Sequence, residues 1–250
     1  SGLPSSTWRK LNYGVQPSKS TTVQITDTTG MLEAYAEVDK ALADLNGNTA
    51  SFRLSEDRAF LESMNQTMAN TLFYGDTGTD PEKFMGLSAR YNSTSAESGD
   101  NIIVGGGSGS DNTSIWLVCW GPNTAHGIYP KGSQAGLNHK DLGEVTLEDA
   151  ANGKYQGYRT HYKWDIGLSV RDWRYIVRIP NIDVSNLTKD ASGSSAELVD
   201  LMVQAVEKLP NVNLGRCVFY GNRTISSILR RQITNTSNVR LSMDEVAGKR

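Results

Sequence analysis

The sequence holds no run of eighteen apolar residues and no basic stretch followed by an apolar one, so it predicts neither a membrane-spanning helix nor a secretory leader. Cysteine is scarce: Cys119 and Cys217 are the two in 250 residues. Cys119 lies between Val118 and Trp120, and Cys217 precedes Val218, which reads as two buried thiols on strands rather than a disulfide framework. A basic balance is also missing. With 25 Lys and Arg against 27 Asp and Glu, the net charge is −2, and there is no basic stripe of the kind a dedicated nucleic-acid binder carries. Apolar residues make up only 38 % of the chain, alongside 24 glycines. That balance fits a sheet-rich protein with many turns, or an extended one that exposes much surface.

The usual signatures of catalysis are absent. No two of His126, His139 and His161 stand four apart, and neither cysteine is near enough in sequence to complete a zinc ligand set. There is no Gly-x-Ser-x-Gly elbow for a serine nucleophile. The glycine-rich turn at 105–110 lacks the Gly-Lys-Ser/Thr ending of a phosphate loop, and a strand pattern follows it. Asp165 and Asp172 are the best-placed carboxylates. Arg171 and Arg174 flank Asp172, however, which points to an ion pair at a subunit or sheet boundary. No enzymatic activity, metal or cofactor is expected.

What is present is one long helix with both ends written in the sequence. Over 55–75, Ser55 caps the start, Glu56 and Asp57 fill the first turn, and Gly75 supplies a left-handed stop. Leu61, Met64, Met68 and Leu72 recur at three and four residues, widened by Phe60 and Phe73 into an apolar stripe. Such a helix is about 28 Å long, enough to cross a small domain. Before it, 31–46 reads as a short amphipathic helix through Leu32, Tyr35, Val38, Leu42 and Leu45, and 7–12 and 20–26 read as two strands of a hairpin. That hairpin carries few apolar side chains, and an isolated hairpin is marginal in water, so it must lean on something outside itself.

Further on, 114–121 is apolar on both faces and therefore central in a sheet. Pro130 makes 128–132 a short edge strand. The longest strand candidate, 158–179, is divided at Gly167 or at Arg171-Asp172. A helix over 196–209, capped by Ser194-Ser195, precedes a buried strand at 216–220 and a second helix opened by Asn222.

Tyr74-Gly75-Asp76, the short acidic loop through Pro81, and Gly86-Leu87 together resemble the end of the spine helix in major capsid proteins of tailed bacteriophages, the Hong Kong 97-like fold. The helix-strand-helix unit after residue 195 is similar to the start of the axial domain in that family. In most members that unit comes soon after the spine helix. Here the strands at 115–120 and 158–179 come first, so the resemblance implies a permuted order similar to that of certain short-tailed phages.

The resemblance implies an α+β fold with these parts: an extended hairpin loop at 1–30, a peripheral domain at 31–98 containing the spine helix, axial-domain strands at 99–140, peripheral long strands at 141–190 and an axial helix-strand-helix at 191–250. Both chain ends are expected to be truncated. The implied function is a coat subunit that self-assembles into an icosahedral shell around the phage genome. Its partners would be further copies in pentamers and hexamers, with scaffolding, cement and portal proteins as further candidates, and double-stranded DNA enclosed without sequence-specific contact. Its location would be the virion, assembled in the host bacterial cytoplasm, with no membrane. Trp8, Arg9, Lys10, Lys19, Arg171, Asp172 and Arg174 are the candidate inter-subunit contacts. The competing reading is a carbohydrate-binding or host-attachment protein that uses Trp116, Trp120, Tyr129, Tyr162, Trp164 and Trp173 as a stacking surface.

Overall fold

A long helix lies across one mixed sheet of seven strands. The computed structural model describes residues 4–20, 24–45, 47–188 and 196–235, with backbone alone for 234 and 235. In chain order the elements are β1 (Thr29–Asp39), α1 (Lys40–Asp44), α2 (Thr49–Tyr74), α3 (Leu87–Arg90), β2 (Asn112–Trp120), β3 (Ala125–Ile128), β4 (Leu137–Glu148), β5 (Lys154–Val170), β6 (Ile176–Asp183), α4 (Leu198–Glu207), β7 (Arg216–Tyr220) and α5 (Arg223–Asn235).

β5 is the hub. It pairs antiparallel with β1 from Gly157 to Gly167, with β4 from Lys154 to Trp164, and with β3 from Gly167 to Val170. β3 connects this half to β2, which in turn pairs antiparallel with β6 and β7. Strand alternation then assigns two faces. On β1, Leu32, Ala34, Ala36 and Val38 point toward α2, while Met31, Glu33, Tyr35 and Glu37 point outward. Met64 of α2 is buried with Ala36 and Tyr162, flanked by Phe60, Leu61 and Trp164. Met68 joins a second cluster with Phe84, Leu87, Tyr91, Trp116, Val118, Leu168 and Ile176.

β2 is covered on both sides, as its apolar run predicts. Trp116 and Val118 face the end of α2 and α3. Ile115 and Leu117 face the other way, with Val177, Ile179 and Ile182 of β6, against Leu198, Met202 and Ala205 of α4 and Ile225, Ile228 and Leu229 of α5. Asn222 caps α5 by accepting from the amide of Ile225 at 2.8 Å, as its sequence position suggests.

Several expectations need correction. The segment 31–46 is mainly strand. Its residues fit both a helical and an alternating period, and the strand pairs eleven residues with β5 while turning Leu32, Ala34, Ala36 and Val38 to the face that α2 covers. α2 begins at Thr49, capped by Asn48 rather than Ser55, and at 26 residues is about 39 Å long. Asp57 is consequently not in the first turn but on the buried side near Tyr162. Gly75 ends the helix in extended backbone (φ −60°, ψ 134°), not left-handed. Its need for glycine is steric: a Cβ there would lie 2.5 Å from the Phe84 carbonyl oxygen and 2.6 Å from that of Thr71.

No strand occurs in 4–20 or 24–28, and residues 21–23, the middle of the expected strand at 20–26, lie outside the described residues. β3 sits earlier than expected and between β5 and β2 rather than at an edge. β4, unforeseen, spans the expected boundary at 140, so the strands at 99–140 and 141–190 are parts of one sheet. The strand at 114–120 therefore shares a sheet with 158–166. The division after Val170, through a 3-10 turn at Trp173–Tyr175, falls at Arg171-Asp172 as anticipated. The proposed cap Ser194-Ser195 lies outside the described residues, and α4 starts after Glu197 without a side-chain cap bond. The strand at 216–220 is partly rather than fully buried.

Candidate assembly surfaces

Three surfaces are built in different ways. The first is the segment 4–28. It has no acidic residue before Asp27, it carries Arg9, Lys10 and Lys19, and the large apolar side chains among its described residues face solvent. Trp8 is fully exposed, Leu11 is 89 % exposed, and Tyr13, Val15 and Ile25 are exposed as well. Lys10 and Tyr13 close one turn, and the Ser18 hydroxyl donates to the Ser5 carbonyl at 2.6 Å. The segment is fastened to the body at its C-terminal end. There Arg90 holds the Asp27 carboxylate at 2.7 Å in a site where both side chains are 13 % exposed, and it also donates to the Leu168 carbonyl at 3.1 Å.

The second surface is the outer face of the β1-β5-β4 ribbon. Here alternation places a ladder of polar contacts: Arg159 pairs with Glu37, Lys163 with Glu33 and Asp165, and the His161 ring nitrogen lies 3.1 Å from a Glu33 carboxylate oxygen. Tyr35 stacks on His161 at 4.5 Å, and Arg159 lies 5.7 Å from the Tyr35 ring centre. Beside it Met31 is 70 % exposed at the rim of a crevice of about 150 Å³ lined by Leu32, Met68, Phe84 and Ile166. At the inner face of the same ribbon Arg53 of α2 donates to Asp141 at 2.6 Å and to the Thr160 hydroxyl at 3.2 Å, and lies over the Tyr158 ring. That bond holds the Asp141 carboxyl below its ordinary range, helped by the Gly143 amide at the β4 bulge. Burial, then the Asp57 carboxylate, pushes the Tyr162 phenol up to about 12.

The third surface is the turn between β5 and β6. Tyr91, fully buried, donates its hydroxyl to the Trp173 carbonyl at 2.7 Å, and burial drives its phenol well above the ordinary value. The Asn101 amide donates to the carbonyls of Arg174 and Ile176 at 2.9 and 3.0 Å. Within this braced turn Asp172 accepts from the Arg174 amide, Nε and Nη2 at 3.1, 3.0 and 2.7 Å. The Arg174 contact lowers the Asp172 pKa, and the carboxylate raises that of Arg174. Arg171 is exposed and lines an open hollow with Trp120, Pro122 and His126.

Asp172 and Arg174 are thus brought together. Among the described residues, no hydrogen bond or ion pair joins them to Trp8, Arg9, Lys10 or Lys19. Arg90, Asp27, Tyr91 and Asn101, which fix the first and third surfaces, were not singled out from the sequence. Their partners lie 63 to 82 residues away along the chain, and no local pattern encodes such pairings.

The six aromatics of the competing reading form no exposed platform. Trp116 is 2 % exposed and Tyr162 is buried, and Tyr129 alone of the six is exposed. No group of three or more metal-binding side chains occurs among the described residues.

The family model of the major capsid protein GP7 matches residues 1–250, the whole chain. The chain belongs to the GP7 major capsid protein family. A near-atomic structure of bacteriophage Epsilon15 is 45 % identical over 98 % of this chain and 74 % of that one, with a TM-score of 0.68. Membership and this likeness establish the Hong Kong 97-like fold and the role of a phage major capsid protein, a component of the virion shell. The holo-SrpI encapsulin complex from Synechococcus elongatus PCC 7942 also matches, at 12 % identity over 63 % of this chain and 75 % of that one, TM-score 0.45. No curated protein sequence matches. For a GP7-family coat subunit, surfaces that meet other copies are the functional sites.

Proposed function

We propose that this coat subunit tiles its shell as pentamers and hexamers and that the segment 4–28 is the arm by which one subunit grips the next. The observation that supports this most is the segment itself: Trp8, Leu11, Tyr13, Val15 and Ile25 are exposed, while Asp27 at its end is held to the body by Arg90. A cluster of large apolar side chains left in water is destabilising in isolation and is relieved when another surface covers it. Its three cations and lack of early carboxylates suit a partner surface with acidic residues, such as the loop carrying Asp76, Asp80 and Glu82. Arg171, with its charge open to solvent beside the turn 172–174, is a second contact point, and the Asp172–Arg174 pair holds that turn in shape.

In this reading the shell encloses double-stranded DNA without reading it, since a net charge of −2 gives no phosphate-binding stripe. Assembly takes place in the bacterial cytoplasm, with portal, scaffolding or cement proteins as additional partners. The test is to replace Trp8 and Leu11 together by Ser. The variant is expected to melt within a few degrees of the parent yet to sediment as small oligomers instead of shells. Normal shells from the variant would refute the arm.

A further inference from the structure

Cys119 and Cys217 are 98 residues apart in sequence, and the register of β2 with β7 sets them directly opposite each other. Both are free thiols, and the Cys217 Sγ donates to the Cys119 Sγ at 2.6 Å. Cys119 is fully buried and Cys217 half-buried. The backbone of Gly215 closes over the Cys119 sulfur, where an added Cβ would stand 3.3 Å away. Cys119 therefore has one reactive neighbour, the other thiol, and Cys217 is the side from which a reagent arrives. No third metal-binding side chain joins them among the described residues, which leaves sulfur–sulfur chemistry.

We propose that Cys119 and Cys217 are a modification site, a thiol pair that a small disulfide such as glutathione disulfide closes into a cross-strand bond within the folded subunit. The Cys217 thiol loses its proton to solvent and its sulfur attacks one sulfur of glutathione disulfide. A mixed disulfide forms and one glutathione thiolate leaves. The Cys119 sulfur then attacks the Cys217 sulfur, forming the Cys119–Cys217 bond, and its proton passes to the second glutathione sulfur, which leaves as the thiol. The dithiol is oxidised by two electrons, and glutathione disulfide is reduced by two. Burial, reinforced by the Cys119 contact, pushes the Cys217 thiol up to about 12, so little thiolate is present at neutral pH and closure is slow. A reducing compartment keeps the pair open and an oxidising one closes it. Among the described residues β7 pairs with β2 alone and leads into α5, so the bond ties α5 to the centre of the sheet. The proposal does not depend on the arm.

The purified chain, folded, is incubated with glutathione disulfide or with a reducing agent, and thiols are titrated after unfolding. The reduced sample is expected to show two thiols and the oxidised one none. The oxidised mass should fall by two hydrogen atoms, a peptide map should link residues 119 and 217, and the melting temperature should rise by several degrees. Cys217→Ser, or Cys217→Ala if the first folds poorly, should keep its Cys119 thiol and show no rise. Two free thiols in the folded parent, under conditions in which the unfolded chain oxidises, would overturn the proposal. So would a product that stops with glutathione on Cys217.

Discussion

Replacing Trp116 by Ala tests the placement of the long helix on the sheet. The indole is 2 % exposed and occupies the point where β2 lies between Arg178 of β6 and Tyr220 of β7 in register. Phe73 of α2 stands 6.0 Å from it, Tyr91 meets it edge-on at 6.3 Å, and the Arg178 guanidinium lies over it at 5.0 Å. Arg178 is itself half-buried, its charge disfavoured by desolvation, and it donates to the Tyr91 carbonyl at 2.6 Å. Truncation empties a space that rigid strands and a helix cannot collapse into, which costs about 3–5 kcal/mol. For a chain of this size that is a fall of about 6–20 °C in melting temperature. Trp116→Phe keeps most of the contacts and should cost about 1–2 kcal/mol. Thermal unfolding of unassembled subunits, followed by near-ultraviolet circular dichroism, measures both. A Trp116→Ala protein that melts with the parent would mean that this residue is not in the core, and the sheet–helix packing would be wrong.

Gly75→Ala forces a Cβ to within 2.6 Å of two carbonyl oxygens, and Gly86→Ala does the same against Thr71. Each should destabilise by about 1–3 kcal/mol, whereas Gly14→Ala, with open space around it, should be silent in the same melts. Alkaline titration gives a separate check. The Tyr162 pKa is raised in the folded state, so its contribution is complete below the unfolded value of about 10 and is lost as pH rises toward the folded value. Ultraviolet difference spectra should show the Tyr162 phenol ionising near pH 12, and Tyr162→Phe should flatten the loss of stability between those values.

The parts of the fold legible in the sequence are those whose signal is local. The apolar run of β2 announces a strand covered on both faces, Asn222 announces a helix start, and the Arg171-Asp172 step announces the break after β5. β1 is not legible as a strand because Leu32, Tyr35 and Val38 satisfy a helical spacing, while the decisive partner, β5, lies more than a hundred residues away. β4 is hidden in the sequence because Asp141 and Gly143 interrupt its alternation. In the structure they form a bulge, with Gly143 at φ 71° and its amide on the Asp141 carboxylate. The same holds for the surfaces. Trp8, Arg9, Lys10 and Lys19 could be named as exposed because nothing local buries them, but the Arg90–Asp27 ion pair that ends the segment exists only in three dimensions.

The central claim, that residues 4–28 serve a neighbouring subunit, is tested most directly by an electron cryomicroscopy map of shells assembled from this chain. The account predicts density for Trp8 through Val15 lying on the body of an adjacent copy, with Trp8 and Leu11 covered. Density that folds the segment back over its own sheet, or leaves these side chains in solvent within a closed shell, would contradict it.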